Sequence, residues 1–361
     1  MHLPLLPADK LRAVVFEVFE TMKFSRDEAE TITHHLVESN LVGHDTHGVR
    51  LLPLYVKMTR NGLIKTNSKI SVLKETPSSA LLDGNWGSGL VTGKKAMALA
   101  IEKAEGYGVG SVGICNCHHI ARLGEYTMMA IENDMIGLTV TNSAGIHVSP
   151  PGGLSHKFGV CAMSYGIPAQ EENAILFDSA VASTSIGTLS IKRLRQEKIP
   201  EGWLIDEKGQ PTTDLSKGPP PFGKGFVLPL GGFASGYKGY GLLLLVDIMA
   251  GVLTGAGSGC FRKDPLSGQG AFMAAININA FMPVDHFKGQ IDKMIRNIKN
   301  SKKASGVKEI RIPGEMCFRN KEKNLKEGIF IDDETWQAIA HTANDIGVDI
   351  ERTIAHKTSS A

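Results

Sequence analysis

Gly108-Val109-Gly110-Ser111-Val112-Gly113 spells the glycine fingerprint of dinucleotide-binding folds letter for letter, and its setting decides against that fold. The fingerprint works when a strand ends at the first glycine and a helix opens at the turn, so that the helix N-terminal N–H groups meet a pyrophosphate. Here the order is reversed. Residues 96–105 carry helical spacing before the glycines and residues 111–115 read as a strand after them, which makes the segment a helix-to-strand turn. Residues 87–94 also miss the phosphate-loop spacing and have no Ser or Thr after the lysine, so no nucleotide triphosphatase is indicated.

Outward from that turn, short β-rich runs at 70–73, 80–82, 109–115, 136–141 and 272–278 alternate with helical spacing at 92–105, 122–132, 185–197, 240–253 and 285–299. The alternation predicts an α/β core over residues 70–299 of non-Rossmann type. Residues 8–60 read as helical, with Leu11, Val14, Val15, Val18, Phe19 and Met22 on one face of a first helix. A capping box at Ser25 and Glu28 opens a second helix that carries Ala29, Ile32 and Leu36. Pro53 kinks or restarts the next segment, and Asn61-Gly62 ends it. A last helix at 333–346 packs back on these, so residues 1–69 together with 300–361 are expected to form a helical domain.

With 361 residues, 42% hydrophobic and 21% charged, the chain can bury a large core. A formal charge of +2 is too small to point to nucleic acid or an acidic membrane surface. The basic tract at 288–326 carries amphipathic spacing (Ile291, Met294, Ile295, Ile298), so it reads as a solvated helix face. Five scattered cysteines argue against a disulfide framework and for a reducing compartment. Cys115-Asn116-Cys117-His118 lacks a second cysteine pair, so no metal site is expected. No signal peptide is legible, and the most apolar stretch, 242–253, is too short to span a bilayer and is broken by Asp247. A cytoplasmic protein acting on a small molecule is the expectation.

Chemistry concentrates in two histidine clusters. Gly43-His44-Asp45-Thr46-His47-Gly48 follows directly on a predicted helix, and Asn116-Cys117-His118-His119 repeats the theme. An imidazole with a pKa near 6.5 both gives and takes a proton near neutral pH, as carbonyl reduction or alcohol oxidation requires. A third segment, glycine-rich from Gly231 to Gly241 with Lys238 inside it, runs into a helix. Its N–H groups and one lysine suit an anion, or its glycines serve a close approach of the helix to the sheet.

These segments together resemble the malate/lactate dehydrogenase type 2 family over nearly the whole chain. The likeness is carried by Gly43-His44-Asp45-Thr46-His47-Gly48-Val49, His118-His119-Ile120-Ala121-Arg122-Leu123-Gly124, Ser149-Pro150-Pro151-Gly152-Gly153 and Phe177-Asp178-Ser179-Ala180. It continues through Gly202-Trp203-Leu204-Ile205-Asp206, Pro211-Thr212-Thr213-Asp214, Tyr237-Lys238-Gly239-Tyr240-Gly241 and Ile312-Pro313-Gly314-Glu315. The second and third of these resemble the hydroxycarboxylate branch most. The resemblance implies a non-Rossmann α/β fold with NAD or NADP held on a large mixed β-sheet near a homodimer interface. It implies His47 as proton donor, Thr46 as its hydroxyl partner and Asp178 as the carboxylate completing the relay, with His119 as the other acid/base candidate. Cofactor contacts carry over to Ser143, Phe177, Asp178, Ser179, Lys238, Gly239, Gly314 and Glu315.

The chain departs from the family pattern at Leu51, where many members place an arginine that clamps the substrate carboxylate. Arg50, about 100° away on a helix, and Arg122 are the remaining anchors. Gly159-Val160-Cys161-Ala162 replaces a Gly-Thr-Asn-Pro turn. The expectation is hydride transfer between NAD(P)H and a small 2-oxo or 2-hydroxy acid. The alternatives are a cyclic-imine reductase and a non-catalytic dinucleotide-binding protein of the same fold.

Overall fold

A computed structural model describes residues 5–143, 145–261 and 268–356 of the chain. Its first helices form where the apolar spacing demands. On α1 (Ala8–Thr21), Leu11, Val14, Val15, Val18 and Phe19 are buried on one face. At the start of α2 (Arg26–Leu41) the Ser25 hydroxyl accepts from the Glu28 N–H while the Glu28 carboxylate accepts from the Ser25 N–H. Pro53 restarts the chain as α3 (Leu52–Arg60), sitting in the first turn where its missing N–H has no helical partner to lose.

The sheet then begins with β1 (Ser71–Glu75) and β2 (Ser79–Asp83), and α4 (Gly89–Tyr107) crosses over to β3 (Val109–Cys117). α5 (Gly124–Glu132), β4 (Met135–Thr141), β5 (Ala162–Ile167), β6 (Ile175–Ala180) and α6 (Ile186–Leu194) follow. Three two-residue strands, β7 (Leu204–Ile205), β8 (Pro211–Thr212) and β9 (Phe226–Val227), pair into a small separate sheet. α7 (Gly232–Asp247) runs on into a π-helical turn, Ile248–Val252, ahead of β10 (Gln269–Asn277). The last helices are α8 (Val284–Lys299), α9 (Glu315–Glu327), α10 (Asp333–Asp345) and α11 (Ile350–His356).

The main sheet has seven strands in the order β1-β2-β3-β10-β4-β5-β6. Of its pairings only β2–β3 is parallel. The sheet is therefore mixed and non-Rossmann, as expected. β5 and β6 were not foreseen as strands. Ser164, Gly166 and Asp178 interrupt their apolar runs, and the pairing of β5 to β4 and of β6 to β5 is what makes them strands.

Two cores result. One joins α1, α2 and α3 to Ile329, Ile331, Ile339, Ala343 and Val348 from the C-terminal region. The backbones of Leu6 and Ile329 exchange two hydrogen bonds that seal this union. The other lies between the sheet and α4, with Ala96, Met97, Ala100 and Ala104 against Val112, Ile114 and Met273. The segment between α8 and α9 lies on β6 instead: Leu176 N–H donates to Pro313 O, and Ile312 packs on Ile175.

The fingerprint glycines serve this second core. Gly108 ends α4 at φ +81°, a left-handed conformation that a side chain resists. A Cβ on Gly110 would lie 2.0 Å from Ala100 O and 2.8 Å from Ala104 N, inside the backbone of α4. Gly110→Ala should therefore cost about 1–3 kcal/mol of stability by overpacking and leave cofactor affinity alone. Urea unfolding and cofactor titration of the variant check this. Unchanged stability with weakened cofactor binding would return the segment to a phosphate-binding role.

Candidate active site

The turn after α2 is built around Asn40, which is almost fully buried. Its Nδ2 donates to Asp45 Oδ1 at 2.8 Å and its Oδ1 accepts from Val49 N–H at 2.8 Å, so one amide fixes both ends of the stretch that carries His47. A Cβ on Gly48 would lie 2.1 Å from Asn40 Oδ1, which explains the glycine after His47. Thr46 Oγ1 lies 2.9 Å from His47 Nδ1.

His119 arrives from the other side, just beyond β3. Its ring stacks on His47 at 5.5 Å between centroids and 27° between planes, and Tyr55 Oη of α3 lies 2.8 Å from its Nδ1. His44 stands edge-on to His47 at 5.7 Å. His118 is turned elsewhere, with Nε2 bonded to Leu63 O at 2.6 Å.

Burial dominates the electrostatics. It pushes the His119 pKa down to about 4. It also drives His47 well below the usual imidazole value, helped by the neighbouring charges of His119, His44, His35 and Arg122. Burial lowers His44 as well, and there Asp178 opposes the shift. Rings this close repel a second charge, so the cluster holds at most one proton beyond its neutral state at neutral pH. Burial raises the Tyr55 pKa, which keeps its hydroxyl protonated.

His44, His47 and His119 line a cavity of about 880 Å³. Thr46, His47, His119, Asp178 and Arg122 all face it, as do Ser143 and Ser179 on the sheet side. Arg122 is buried and ion-paired to Glu125, which also holds His34 at 2.8 Å; the Arg122 Nε finds no partner among the described residues. The cavity is large enough for a nicotinamide beside a small acid, and the buried Nδ1 of His147 on its wall has no partner among the described residues. The residues present therefore fit a bound polar ring there.

Several expected residues lie elsewhere. Arg50 does not line the cavity, whose wall at that point is Leu51 and Leu54. Asp178 makes no hydrogen bond with His47 among the described contacts; its Oδ2 accepts from Gly124 N–H at 2.7 Å, so the expected relay is not assembled. Phe177, the strand neighbour of Asp178, stacks on Tyr165 and is not on the cavity wall. α7 starts at Gly232 rather than near 240, which places Lys238 in the second helical turn, exposed and outside the cavity. The glycines there serve close approach: a Cβ on Gly239 would lie 2.1 Å from Leu230 O. Gly314, at φ +98°, caps α9, and the buried Glu315 carboxylate pairs with Lys299 and Arg319, also away from the cavity.

Tyr55 was missed by reading motifs alone. It sits one helical turn beyond Leu51 on α3 and reaches the site by its contact with His119 behind the cavity wall.

The match to the malate/L-lactate dehydrogenase family model covers residues 6–340. The chain is 38% identical over 352 residues to a malate dehydrogenase of Pyrococcus abyssi, 95% of each chain being covered. It superposes on the solved malate dehydrogenase of Pyrococcus horikoshii OT3 with a TM-score of 0.87 and 34% identity, covering 96% of each. Hydroxycarboxylate dehydrogenase B of Escherichia coli K12 is 30% identical over 346 residues, 94% of each chain, so whole-chain similarity does not favour the branch suggested by the local motifs. The chain belongs to the malate/L-lactate dehydrogenase family and is a 2-hydroxy-acid dehydrogenase of the malate/lactate type.

Proposed function

We propose that the chain interconverts a 2-oxo acid and its 2-hydroxy acid with NAD or NADP, and that His119 is the acid/base, with His47 and Thr46 as its partners against the substrate oxygen. The stacked His47–His119 pair inside the cavity carries this reading. The nicotinamide gives or takes the hydride. Protonation falls to His119 because more positive neighbours oppose a charge on His47 than on His119. Tyr55 holds Nδ1 of His119, which leaves Nε2 free to exchange the proton with the substrate oxygen. Arg122 stands at this reacting end, within electrostatic reach of His44 and His47, and is the anchor for the carboxylate beside the carbonyl. Ser143, Asp178 and Ser179, on the sheet side of the same cavity, are the cofactor-side contacts. The overall identity to malate dehydrogenases favours a malate-type substrate over the hydroxycarboxylate branch.

The outer face of α7 and its π-helical turn supports a homodimer. Phe233, Tyr237, Leu245, Ile248, Val252 and Leu253 there are each more than half exposed, an apolar surface that a second copy would cover. Buried Cys115 and Cys117, neither in a disulfide, fit a cytoplasmic protein, and no described helix is long and apolar enough to cross a membrane.

The acid/base assignment is open to a direct comparison. His119→Ala should lower kcat for 2-oxo-acid reduction by about 10²–10⁴-fold, with His47→Ala and Tyr55→Phe each costing about tenfold. Steady-state assays with NADH and NADPH read this, and a larger loss in His47→Ala would move the acid to His47. Absence of turnover with any 2-oxo acid, despite measurable cofactor binding, would defeat the catalytic reading.

The pH dependence has a definite sign. An acid whose pKa is lowered to about 4 is protonated in a fraction that shrinks tenfold with each pH unit above that value. The kcat/KM for reduction should fall with a slope near −1 between about pH 5 and 8, while oxidation, which needs the neutral ring, should not decline over that range. A reduction profile flat to pH 7 would place the acid on a group with an ordinary or raised pKa.

A further inference from the structure

One acid interrupts the most apolar stretch of the chain, and the proton chemistry does not use it. Asp247 ends α7 where the helix widens into the π-helical turn, and only 3% of it is exposed. Its carboxylate is met by donors from two segments. Oδ1 accepts from Asn142 Nδ2 at 3.3 Å and from Gly259 N–H at 3.2 Å, and Oδ2 accepts from the Ser258 hydroxyl. A carboxylate removed from water needs such partners, and all three are neutral donors.

These partners lead to the cavity by two routes. Asn142 follows β4 and stands between Thr141 and Ser143, which both line the cavity. Its Oδ1 accepts from Gly270 N–H at 2.9 Å, and its Nδ2 also donates to Gly257 O at 2.9 Å. The neighbouring Thr141 Oγ1 accepts from Nε2 of Gln269, on the same wall, at 2.8 Å. Gly259 opens the second route. A Cβ on it would lie 2.8 Å from Lys157 O, and one on Gly159 would lie 2.5 Å from Ser143 Cβ and 2.8 Å from Gly145 O. The backbone at Gly259 is thus stacked on the turn at Gly159, and that turn on Ser143, with no room for side chains between them.

We infer that Asp247 is a positioning residue for the cofactor side of the cavity, the interior brace that holds the corner at Asn142 and Ser143 against the turn at Gly159. This rests on the reading above that the cofactor lies along Ser143. A wall held in place before the cofactor arrives spares the ordering cost that binding would otherwise carry. The π-helical turn belongs to the same brace: a Cβ on Gly251 within it would lie 2.6 Å from Asn142 Nδ2, so the turn closes on the amide that Asp247 holds.

Asp247→Ala and Asp247→Asn separate a brace from a merely stabilising group. In Asp247→Ala without cofactor, amide hydrogen exchange over residues 141–143 and 157–162 should quicken by about tenfold or more, and by several times more than in α1–α3. Fluorescence titration with NADH and NADPH should show binding weakened by about tenfold. Asp247→Asn keeps an oxygen for Asn142 and Gly259 and offers its NH2 to the Ser258 hydroxyl, so it should stay within about threefold of wild-type cofactor affinity. Ser258→Ala removes a single donor and should show the pattern of Asp247→Ala at smaller amplitude, which keeps the role testable if the deeper truncation does not fold. Exchange at the wall that rises no more than in α1–α3, or equal losses in the Asn and Ala variants, overturns the role. Faster exchange confined to the wall, with NADH and NADPH bound as tightly as by wild type, leaves the brace standing and overturns the placement of the cofactor at Ser143.

Discussion

One amide side chain carries the placement of the catalytic turn. Asn40 ends α2 with both of its polar atoms spent on the next loop, holding Asp45 and the Val49 N–H at equal distances. Buried hydrogen bonds of this kind are expensive to break because the amide would be left unsatisfied inside the protein. Asn324 of α9 donates to the carbonyl of Asn40, so the C-terminal region braces the same point. His47 therefore sits at the end of a rigid helix whose core is shared by both termini of the chain.

The rest of the site is set by what the sheet presents to that turn. His119 follows β3, while Asp178 and Ser179 sit on β6 at the far edge of the same sheet. The reacting pair is thus assembled from two separate cores, and neither core alone contains it. Bringing the two imidazoles together in a dry place lowers the proton affinity of both, and the repulsion between them makes the pair sensitive to a single proton. Asp178 could have relieved this by pairing with His47; its hydrogen bond to Gly124 places its charge nearer His44.

The helices were the most legible part of the sequence, because the spacing of residues such as Val14, Val18 and Leu36 leaves one buried face, and the capping box at Ser25 marks where α2 begins. β5 and β6 were not legible, since half-buried strands with Ser164 or Asp178 inside them depend on neighbouring strands for their identity. Within the site, His47, His119 and Asp178 could be named from short motifs, but Tyr55 belongs to a helix that no motif ties to the histidines. Around Lys238 the sequence left an anion cradle and a close approach both open. The helix begins at Gly232, and Gly232 and Gly239 are pressed against the carbonyls of Gly202 and Leu230.

That distinction applies to the Gly108 segment as well. A glycine permits a left-handed turn or the close approach of another backbone, and neither property says whether the approaching group is a ligand or the protein itself. At Gly108 the requirement is a positive φ at the end of α4, at Gly110 it is the backbone of α4, and at Gly113 the side chain of Thr254 stands 3.0 Å from where a Cβ would be. All three glycines are thus accounted for by contacts inside the chain. Only the order of elements separates the two cases: a strand leading into a helix aims free N–H groups outward at a phosphate, and a helix leading into a strand has already spent its N-terminus elsewhere. The direction of the chain through the glycines, rather than the glycines themselves, is what rules out the Rossmann arrangement here.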